Sequence, residues 1–278
     1  MVNKQEKLNY VEVLNLLIEH FIDVGNSVAG KIYPSNLLLR FGEPLAIKAL
    51  NHIVSSQQLS MGLSFIHSKV ELEKKLDFSS AAVLTRTALE TYLTFNYIFV
   101  LPVSIQEKEF RYYCWDLSGI IEREDYPATS EESIKKLNVE KKEKKEIIEK
   151  LEKNPFYRKM TPEGRKRLKN GNWRIYKTWR DLAKDSGMSV EYFNLIYSYL
   201  SSYCHSGRLS VLQIEQSKKL STQKELMGTL IQFNIIILAR LIRDYLIYLP
   251  ECNYAHEKNE VAVFYTDLYY KIGNEFTF

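Results

Sequence analysis

The segment from Phe78 to Leu101, FSSAAVLTRTALETYLTFNYIFVL, is the feature that most constrains the fold. At a helical period its apolar side chains cover most of the circumference, a pattern typical of a helix buried among other helices. The exceptions form a narrow polar strip of Arg86, Thr87, Glu90 and Thr94. The segment therefore predicts a buried central helix that carries one polar strip.

The rest of the chain also favours helices. No segment alternates polar and apolar residues at the period of a strand, and 11 Gly and 7 Pro in 278 residues are few for a turn-rich protein. Amphipathic segments recur instead, among them the charged stretch from Ser130, a short helix from Trp173 to Lys184 and a helix from Val190 to His205. The sequence predicts an all-α fold, an irregular multi-helix bundle around the buried central helix at 78–101. We expect one helical domain over residues 1–278, with a basic, charged helical excursion at 128–172.

Composition indicates a cytoplasmic protein with no membrane partner. The N-terminus is polar and has no leader pattern, and the three cysteines lie far apart, which is typical of reduced thiols rather than of a disulfide framework or zinc site. The stretch from Leu226 to Leu249 is apolar but interrupted, so we interpret it as a core helix. The interrupting residues are Gln232, Asn234, Arg240, Arg243 and Asp244. No motif predicts a metal site or a cofactor.

A second polar strip lies on the helix that ends at His205. Tyr197, Ser201 and His205 follow one another at i, i+4 and i+8 on an otherwise apolar helix. If the two strips face each other, they form a cleft in which Arg86 suits a phosphate and His205 suits proton transfer near neutral pH. The candidate catalytic residues are Arg86, Glu90, Tyr197, Ser201 and His205.

These residues also have a structural interpretation. Arg86 and Glu90 are spaced for an ion pair within one helix, and a histidine at a helix C-terminus interacts favourably with the helix dipole. The other four histidines show no functional spacing, and we interpret them as isolated structural residues. They are His20, His52, His67 and His256.

The charge is unevenly distributed. From Lys135 to Arg180 there are 17 Lys/Arg and 6 Asp/Glu, a net of +11, whereas the whole chain has +4 and the remainder therefore −7. Basic residues alternate there with aromatic ones such as Tyr157, Trp173, Tyr176 and Trp179, which suits phosphate contact and base stacking. The candidate nucleic-acid-binding residues are Lys159, Arg165, Lys166, Arg167, Lys169, Arg174 and Lys177, in a block that ends at Arg180. Alternatively, the aromatics are core residues of a short helix and the cations its solvated face.

Three motifs carry a family resemblance: RTALETY at Arg86–Tyr92, WRDLAKDSG at Trp179–Gly187, and Tyr197, Ser201 and His205 in the pattern Y-x3-S-x3-H. Together they resemble an uncharacterised bacterial family of helical proteins, a domain-of-unknown-function family that distantly resembles the HEPN superfamily. Many HEPN domains are ribonucleases in toxin–antitoxin, CRISPR and abortive-infection systems. The resemblance implies a helical fold, RNA as a partner, a homodimer, and metal-independent endoribonuclease chemistry.

The chain departs from the HEPN ribonuclease motif in one respect. That motif places Arg and His on one helix as R-x4-6-H, and no Arg precedes His205 at this spacing. Catalysis would require Arg86, from another helix, to stabilise the phosphorane. Two hypotheses follow: a HEPN-like protein that binds or weakly cleaves RNA in a defence or stress system, or a non-catalytic interaction or scaffold protein with a structural polar cluster.

Overall fold

A computed structural model describes residues 8–31, 41–63 and 75–275 of the chain. Within these ranges the protein is all-α, with one isolated bridge between Leu63 and Lys75 and no strand. The fold class predicted from the sequence is confirmed. In chain order the helices are α1 (Tyr10–Asn26), α2 (Gly42–Leu59), α3 (Phe78–Phe95), α4 (Ile105–Glu124), α5 (Glu131–Lys153), α6 (Pro155–Arg158), α7 (Pro162–Lys169), α8 (Trp179–Asp185), α9 (Val190–Cys204), α10 (Arg208–Gln216), α11 (Leu220–Tyr248), α12 (Asn253–Glu257) and α13 (Glu260–Glu275).

Helix α3 is the predicted central helix. It packs along α2, α11 and α9, and Ala88, Leu89 and Tyr92 on it are fully buried. The Asp77 side chain caps its first turn by accepting a hydrogen bond from the backbone N–H of Ser80. The helix does not run unchanged to Leu101, because a π-helical turn, Asn96–Val100, replaces the α-helical pattern after Phe95.

Helix α11 is the second core element. Its length and hydropathy would let it cross a membrane, but 72% of its most apolar 18-residue stretch is buried inside the protein. It packs against α1, α2, α3 and α13. This packing is that of a core helix, as the polar interruptions in its sequence predict.

The basic segment packs around a second, smaller hydrophobic cluster. Residues of α4, such as Phe110 and Leu117, meet Ile147 and Leu151 of α5 there, and Leu168 of α7 joins them. The charged helix α5 therefore lies along α4 by a narrow apolar stripe and presents its charged residues to solvent. Ser130 caps it, as its sequence predicts.

The prediction of a helix from Trp173 to Lys184 is wrong for its first half. Residues 173–176 form turns, and α8 begins only at Trp179, with Thr178 and Asp181 forming a capping box. Ile175 has a φ of +63°, which a helix excludes.

Two histidines that the sequence presented as isolated are in contact. His20 on α1 and His256 on α12 are both buried, and Nε2 of His20 lies 2.7 Å from Nδ1 of His256. Because 236 residues separate them, no local spacing could reveal the pair. His67 lies outside the described residues.

Candidate functional site

The two predicted polar strips face each other where α3 packs against α9. Ser189 caps the start of α9, and His205 is the residue at its C-terminal cap. Arg86 and Glu90 lie one helical turn apart on α3, opposite Tyr197 on α9. We call Arg86, Glu90, Tyr197 and His205 the Arg86 cluster.

The centre of the Arg86 cluster is a closed set of polar contacts. Nη2 of Arg86 donates a hydrogen bond of 2.9 Å to the Tyr197 hydroxyl, which donates one of 2.9 Å to Oε1 of Glu90. The same Nη2 lies 3.1 Å from that carboxylate oxygen. The Arg86 guanidinium carbon also lies 4.9 Å from the centre of the Tyr197 ring. Tyr197 thus connects α3 to α9 by both its hydroxyl and its ring.

His205 joins the cluster through Arg86. Nη1 of Arg86 lies 3.2 Å from Nε2 of His205. Since a guanidinium has only donors, Nε2 of His205 is the acceptor of this hydrogen bond. The nitrogen that could accept a proton from a substrate is therefore occupied by Arg86.

Burial and neighbouring charges shift the pKa values of Arg86 and Tyr197. Burial lowers the pKa of Arg86, but hydrogen bonds with Cys204 and Tyr197 and the charge of Glu90 outweigh that effect and hold the pKa above its usual value. Burial raises the pKa of Tyr197, and Glu90 adds to the increase while Arg86 opposes it. At neutral pH the cluster therefore holds a guanidinium cation and a protonated phenol.

Ser201 lies on the same face of α9 but does not take part in these contacts. Its hydroxyl is buried and has no hydrogen-bond partner in the part of the chain that the structure describes. Nε of Arg86 is also buried there without an oxygen or nitrogen acceptor. The predicted five-residue set thus contains four residues in direct contact and one beside them.

The basic segment reaches this cluster through a groove of about 440 Å³. Arg167, Arg174, Lys177 and Arg180 line this groove, and so does Tyr197. We call these four cations and the space beside Tyr197 the basic groove. It joins two candidate sites that are far apart in the sequence.

The cations of the groove differ in how much they are already paired. Lys177 forms an ion pair of 2.6 Å with Asp185, and Arg167 one of 3.1 Å with Glu163. Arg174 lies over the Trp179 ring at 4.3 Å. The exposed Arg180 has no ion pair among the described residues. Arg180 and Arg174 therefore leave the most charge for an anionic ligand.

Four of the seven predicted nucleic-acid contacts lie outside the groove. Lys159, Lys166 and Lys169 are exposed on other surfaces, as in the solvated-face interpretation. Nη2 of Arg165 donates a hydrogen bond of 3.0 Å to the carbonyl of Met160, and its guanidinium lies over the ring of the buried Tyr157. Arg165 therefore has a local structural role.

Asn172 and Asn194 also line the groove, although neither is among the candidate residues predicted from the sequence. Asn172 lies just before the turn at residues 173–176, and Asn194 lies one turn before Tyr197 on α9. In the sequence, the turn after Asn170 is the signal for Asn172, and the helical spacing from Tyr197 is the signal for Asn194. Among the described residues no group of three or more His, Cys, Asp or Glu side chains is arranged for a metal ion.

Comparison with known proteins gives a family but no activity. The model of a family of unknown function, DUF5677, matches residues 63–219, which is more than half of the chain. The matched stretch contains the Arg86 cluster and the basic groove. No curated protein and no solved structure matches the chain. The chain belongs to DUF5677, a family of unknown function.

Proposed function

We propose that this protein is HEPN-like and binds RNA in the basic groove, with the Arg86 cluster at one end acting as a weak, metal-independent endoribonuclease site. The observation that carries the proposal is the groove itself, because it brings four cations to the wall that contains Tyr197. Four cations beside Tyr197, which is itself hydrogen-bonded to Arg86, suit a chain of phosphates. The family resemblance stated above supports RNA as the polymer.

The charge distribution supports a polyanion rather than a single small anion. The segment with a net charge of +11 contributes all four cations of the groove, while the remainder of the chain is acidic. Such an asymmetry steers a polyanion to one face and repels it from the other. The expected affinity is therefore strongly dependent on salt.

Cleavage would follow from the placement of His205 and Arg86. The 2′-hydroxyl of a bound ribonucleotide would attack the adjacent phosphorus while His205 takes the hydroxyl proton and Arg86 stabilises the phosphorane. The bond from phosphorus to the 5′-oxygen breaks, that oxygen takes the proton back from His205, and a 2′,3′-cyclic phosphate and a 5′-hydroxyl end remain. Since Arg86 occupies Nε2 of His205, a phosphate must first draw the guanidinium away, so we expect slow cleavage.

RNA binding over a series of salt concentrations tests the binding step. The variant Arg180→Gln removes one groove cation, and Lys224→Gln removes an exposed cation near the start of α11, outside the groove. For single-stranded RNA each lost phosphate contact changes the slope of log K against log salt by about 0.7. We expect this change for Arg180→Gln and none for Lys224→Gln. Equal effects of the two variants would contradict a specific groove.

Cleavage is tested in EDTA with wild type and His205→Ala. Product with a 2′,3′-cyclic phosphate end that disappears in the variant supports the endoribonuclease. Salt-dependent binding without any product would leave an RNA-binding protein whose Arg86 cluster is not catalytic. Absence of both binding and cleavage at low salt would overturn the proposal.

The second candidate is an interaction or scaffold protein in which the Arg86 cluster joins helices. The observation that favours it is the direct pairing across the two helices, because Tyr197 of α9 is hydrogen-bonded to both Arg86 and Glu90 of α3. In that case Arg86→Ala unfolds at a lower denaturant concentration and RNA binding is absent in wild type. Under the first proposal the same variant keeps most of its stability and loses binding.

The remaining parts of the proposal follow from the resemblance and the composition. A cytoplasmic protein of a bacterial defence or stress system would meet its RNA inside the cell, and HEPN domains often pair to bring two sites together. Light scattering coupled to size-exclusion chromatography measures whether this chain forms a homodimer. A monomer at micromolar concentration would remove the dimer from the proposal without affecting the groove.

A further inference from the structure

We infer that Tyr176 is a stacking platform for one unpaired nucleobase of the RNA in the basic groove. The inference rests on the proposed function and adds a subsite to it. Tyr176 lines the groove and is 53% exposed, although its neighbours in the segment, Trp173 and Trp179, are half-buried against the main core. An aromatic ring that is open to a cationic groove can receive a base while the cations hold the adjacent phosphates.

The Tyr176 ring is held in place at its hydroxyl end. The hydroxyl is hydrogen-bonded to Oγ1 of Thr161, the residue that caps α7. The hydroxyl and one ring edge lie against Gly164, where a Cβ atom would come within 2.8 Å of the Tyr176 oxygen. A larger residue than Gly164 would push the ring away. Because the hydroxyl end of Tyr176 is already fixed, the side chain loses less conformational entropy when a base stacks on its exposed ring.

The backbone before Tyr176 is strained. Ile175 has a φ of +63°, a conformation that a β-branched residue rarely adopts. The Asn172 side chain holds the turn by accepting a 3.1 Å hydrogen bond from the backbone N–H of Ile175. The same turn packs Ile175 against the small hydrophobic cluster and places Tyr176 at the groove. We therefore interpret the turn as the element that anchors the subsite to the core.

The chain contains an internal contrast for this interpretation. Tyr157 also lies beneath an arginine, Arg165, but it is only 7% exposed and belongs to the small hydrophobic cluster. The Arg167 guanidinium lies over the Tyr176 ring at 5.1 Å and itself lines the groove. The two pairs have the same chemistry, but only the Tyr176 pair is presented to a ligand. Bases stack on aromatic rings and on guanidinium planes alike, so this pair suits a nucleobase.

The test compares single-stranded RNA with an abasic ribose-phosphate chain of equal length and charge. Wild type should bind the RNA roughly tenfold more tightly than the abasic chain, since stacking of one base contributes at that level. Tyr176→Leu should lose this preference and keep the affinity for the abasic chain and the salt dependence. The matched control is Tyr254→Leu, which removes another exposed tyrosine with a cation, Lys258, over its ring, far along the chain on α12.

The outcomes separate the two proposals. If wild type binds both polymers equally well, or if Tyr176→Leu weakens both equally, the stacking platform is overturned while the phosphate-binding groove stands. If neither polymer binds at low salt, the proposed function fails and the subsite with it. A loss of the base preference in Tyr254→Leu would also overturn the assignment to Tyr176.

A second variant keeps the inference testable if Tyr176→Leu folds poorly. Ile175→Gly frees the backbone of the turn and removes the side chain that packs on the small hydrophobic cluster, so we expect a weaker preference for RNA over the abasic chain with the affinity for the abasic chain unchanged. An unchanged preference for RNA in this variant would show that the turn does not hold Tyr176 for the base.

Discussion

Two clusters in this protein use the same side-chain types at different depths. The Arg86 cluster joins an arginine, a tyrosine and a carboxylate between α3 and α9, and its arginine and glutamate side chains are 16% and 25% exposed. The second, which we call the Arg240 cluster, consists of Arg240 and Asp244 of α11 and Tyr92 of α3. Arg240 is 0% exposed and Asp244 6%. Comparing the two clusters shows how burial changes the role of an arginine, a tyrosine and a carboxylate that contact one another.

The Arg240 cluster is surrounded by protein partners. Nε of Arg240 donates a hydrogen bond of 3.1 Å to the Tyr92 hydroxyl, and Nη2 one of 2.5 Å to the carbonyl of Ser186, before α9. Nη1 is hydrogen-bonded to Oδ1 of Asn274 on α13. The buried arginine thereby joins α11 to α3, to α13 and to the turn between α8 and α9. Groups of this kind stabilise the fold only while they are paired.

The carboxylate of the Arg240 cluster shows the cost of burial. Burial raises the pKa of Asp244, although hydrogen bonds with Asn96 and Tyr92 and the charge of Arg240 act against the increase. Nδ2 of Asn96, in the π-helical turn, donates a hydrogen bond of 2.7 Å to it. In the Arg86 cluster water can reach Glu90 and His205 instead. The Arg240 cluster therefore has a structural role, whereas a residue of the half-buried Arg86 cluster can exchange a protein partner for a ligand.

The largest effect is expected from Arg240→Met. This variant leaves Asp244 and the acceptors at Tyr92 and Ser186 buried without their cation, so the free energy of unfolding should fall by about 3–5 kcal/mol. Urea denaturation followed by circular dichroism measures it. The matched control is Arg243→Met, one turn further along α11, whose ion pair with Asp267 is 44% exposed on both sides and should contribute below about 1 kcal/mol. Similar losses in both variants would show that depth does not separate them.

The tyrosines give a more conservative comparison. Tyr92→Phe removes a hydroxyl that is fully buried between Arg240 and Asp244, and we expect a loss of about 1–3 kcal/mol. Tyr197→Phe should cost less than about 1 kcal/mol, because Arg86 and Glu90 remain 3.1 Å apart and stay accessible to water. Thermal unfolding of the two variants tests this order. A reversed order would make the Arg86 cluster a structural lock and favour the scaffold candidate.

The sequence could predict the Arg86 cluster because helical periodicity carries the information. Arg86 and Glu90 at i, i+4 and Tyr197 and His205 at i, i+8 each define one face of a helix, and each lies on an otherwise apolar helix. That the two faces meet is consistent with burial of the apolar remainder of both helices. The residues of the second strip could thus be predicted from helical spacing alone.

The Arg240 cluster could not be found in that way. In the sequence Arg240 is an interruption of an apolar stretch, which argues against a membrane span but does not say which groups it meets. Its partners Tyr92, Ser186 and Asn274 come from three other parts of the chain. The turn at Ile175 was missed for a related reason, because Asn172 and Arg167 hold a backbone conformation that the isoleucine itself disfavours.

The buried imidazoles extend the comparison to pH. Burial, together with the neighbouring His256, lowers the pKa of His20 from 6.5 to about 4, and burial also lowers the pKa of His256. The unfolded chain therefore binds more protons than the folded protein between these values, so stability is complete above pH 6.5 and falls as pH decreases towards 4. We expect wild type to lose about 3 kcal/mol of unfolding free energy relative to His20→Gln across this window.

Urea denaturation at several pH values measures that difference, and subtracting the variant removes the contribution of carboxylates that titrate in the same range. His256→Gln should shift the difference in the same direction, because burial lowers the pKa of His256 as well. A constant difference from pH 6.5 down to 4 would mean that the pair takes up protons as readily in the folded as in the unfolded protein.

The smallest effect, and the one that bears most directly on function, is the coupling between Arg86 and Glu90. Exposed ion pairs at this helical spacing couple by about 0.3–0.5 kcal/mol, and salt weakens them. A double-mutant cycle with Arg86→Gln and Glu90→Gln should therefore give a coupling below about 1 kcal/mol that decreases at high salt. A weakly coupled guanidinium can leave Glu90 for a phosphate. A coupling of about 2 kcal/mol or more that salt does not change would mean that Arg86 is held as firmly as Arg240, and a ligand could not displace it.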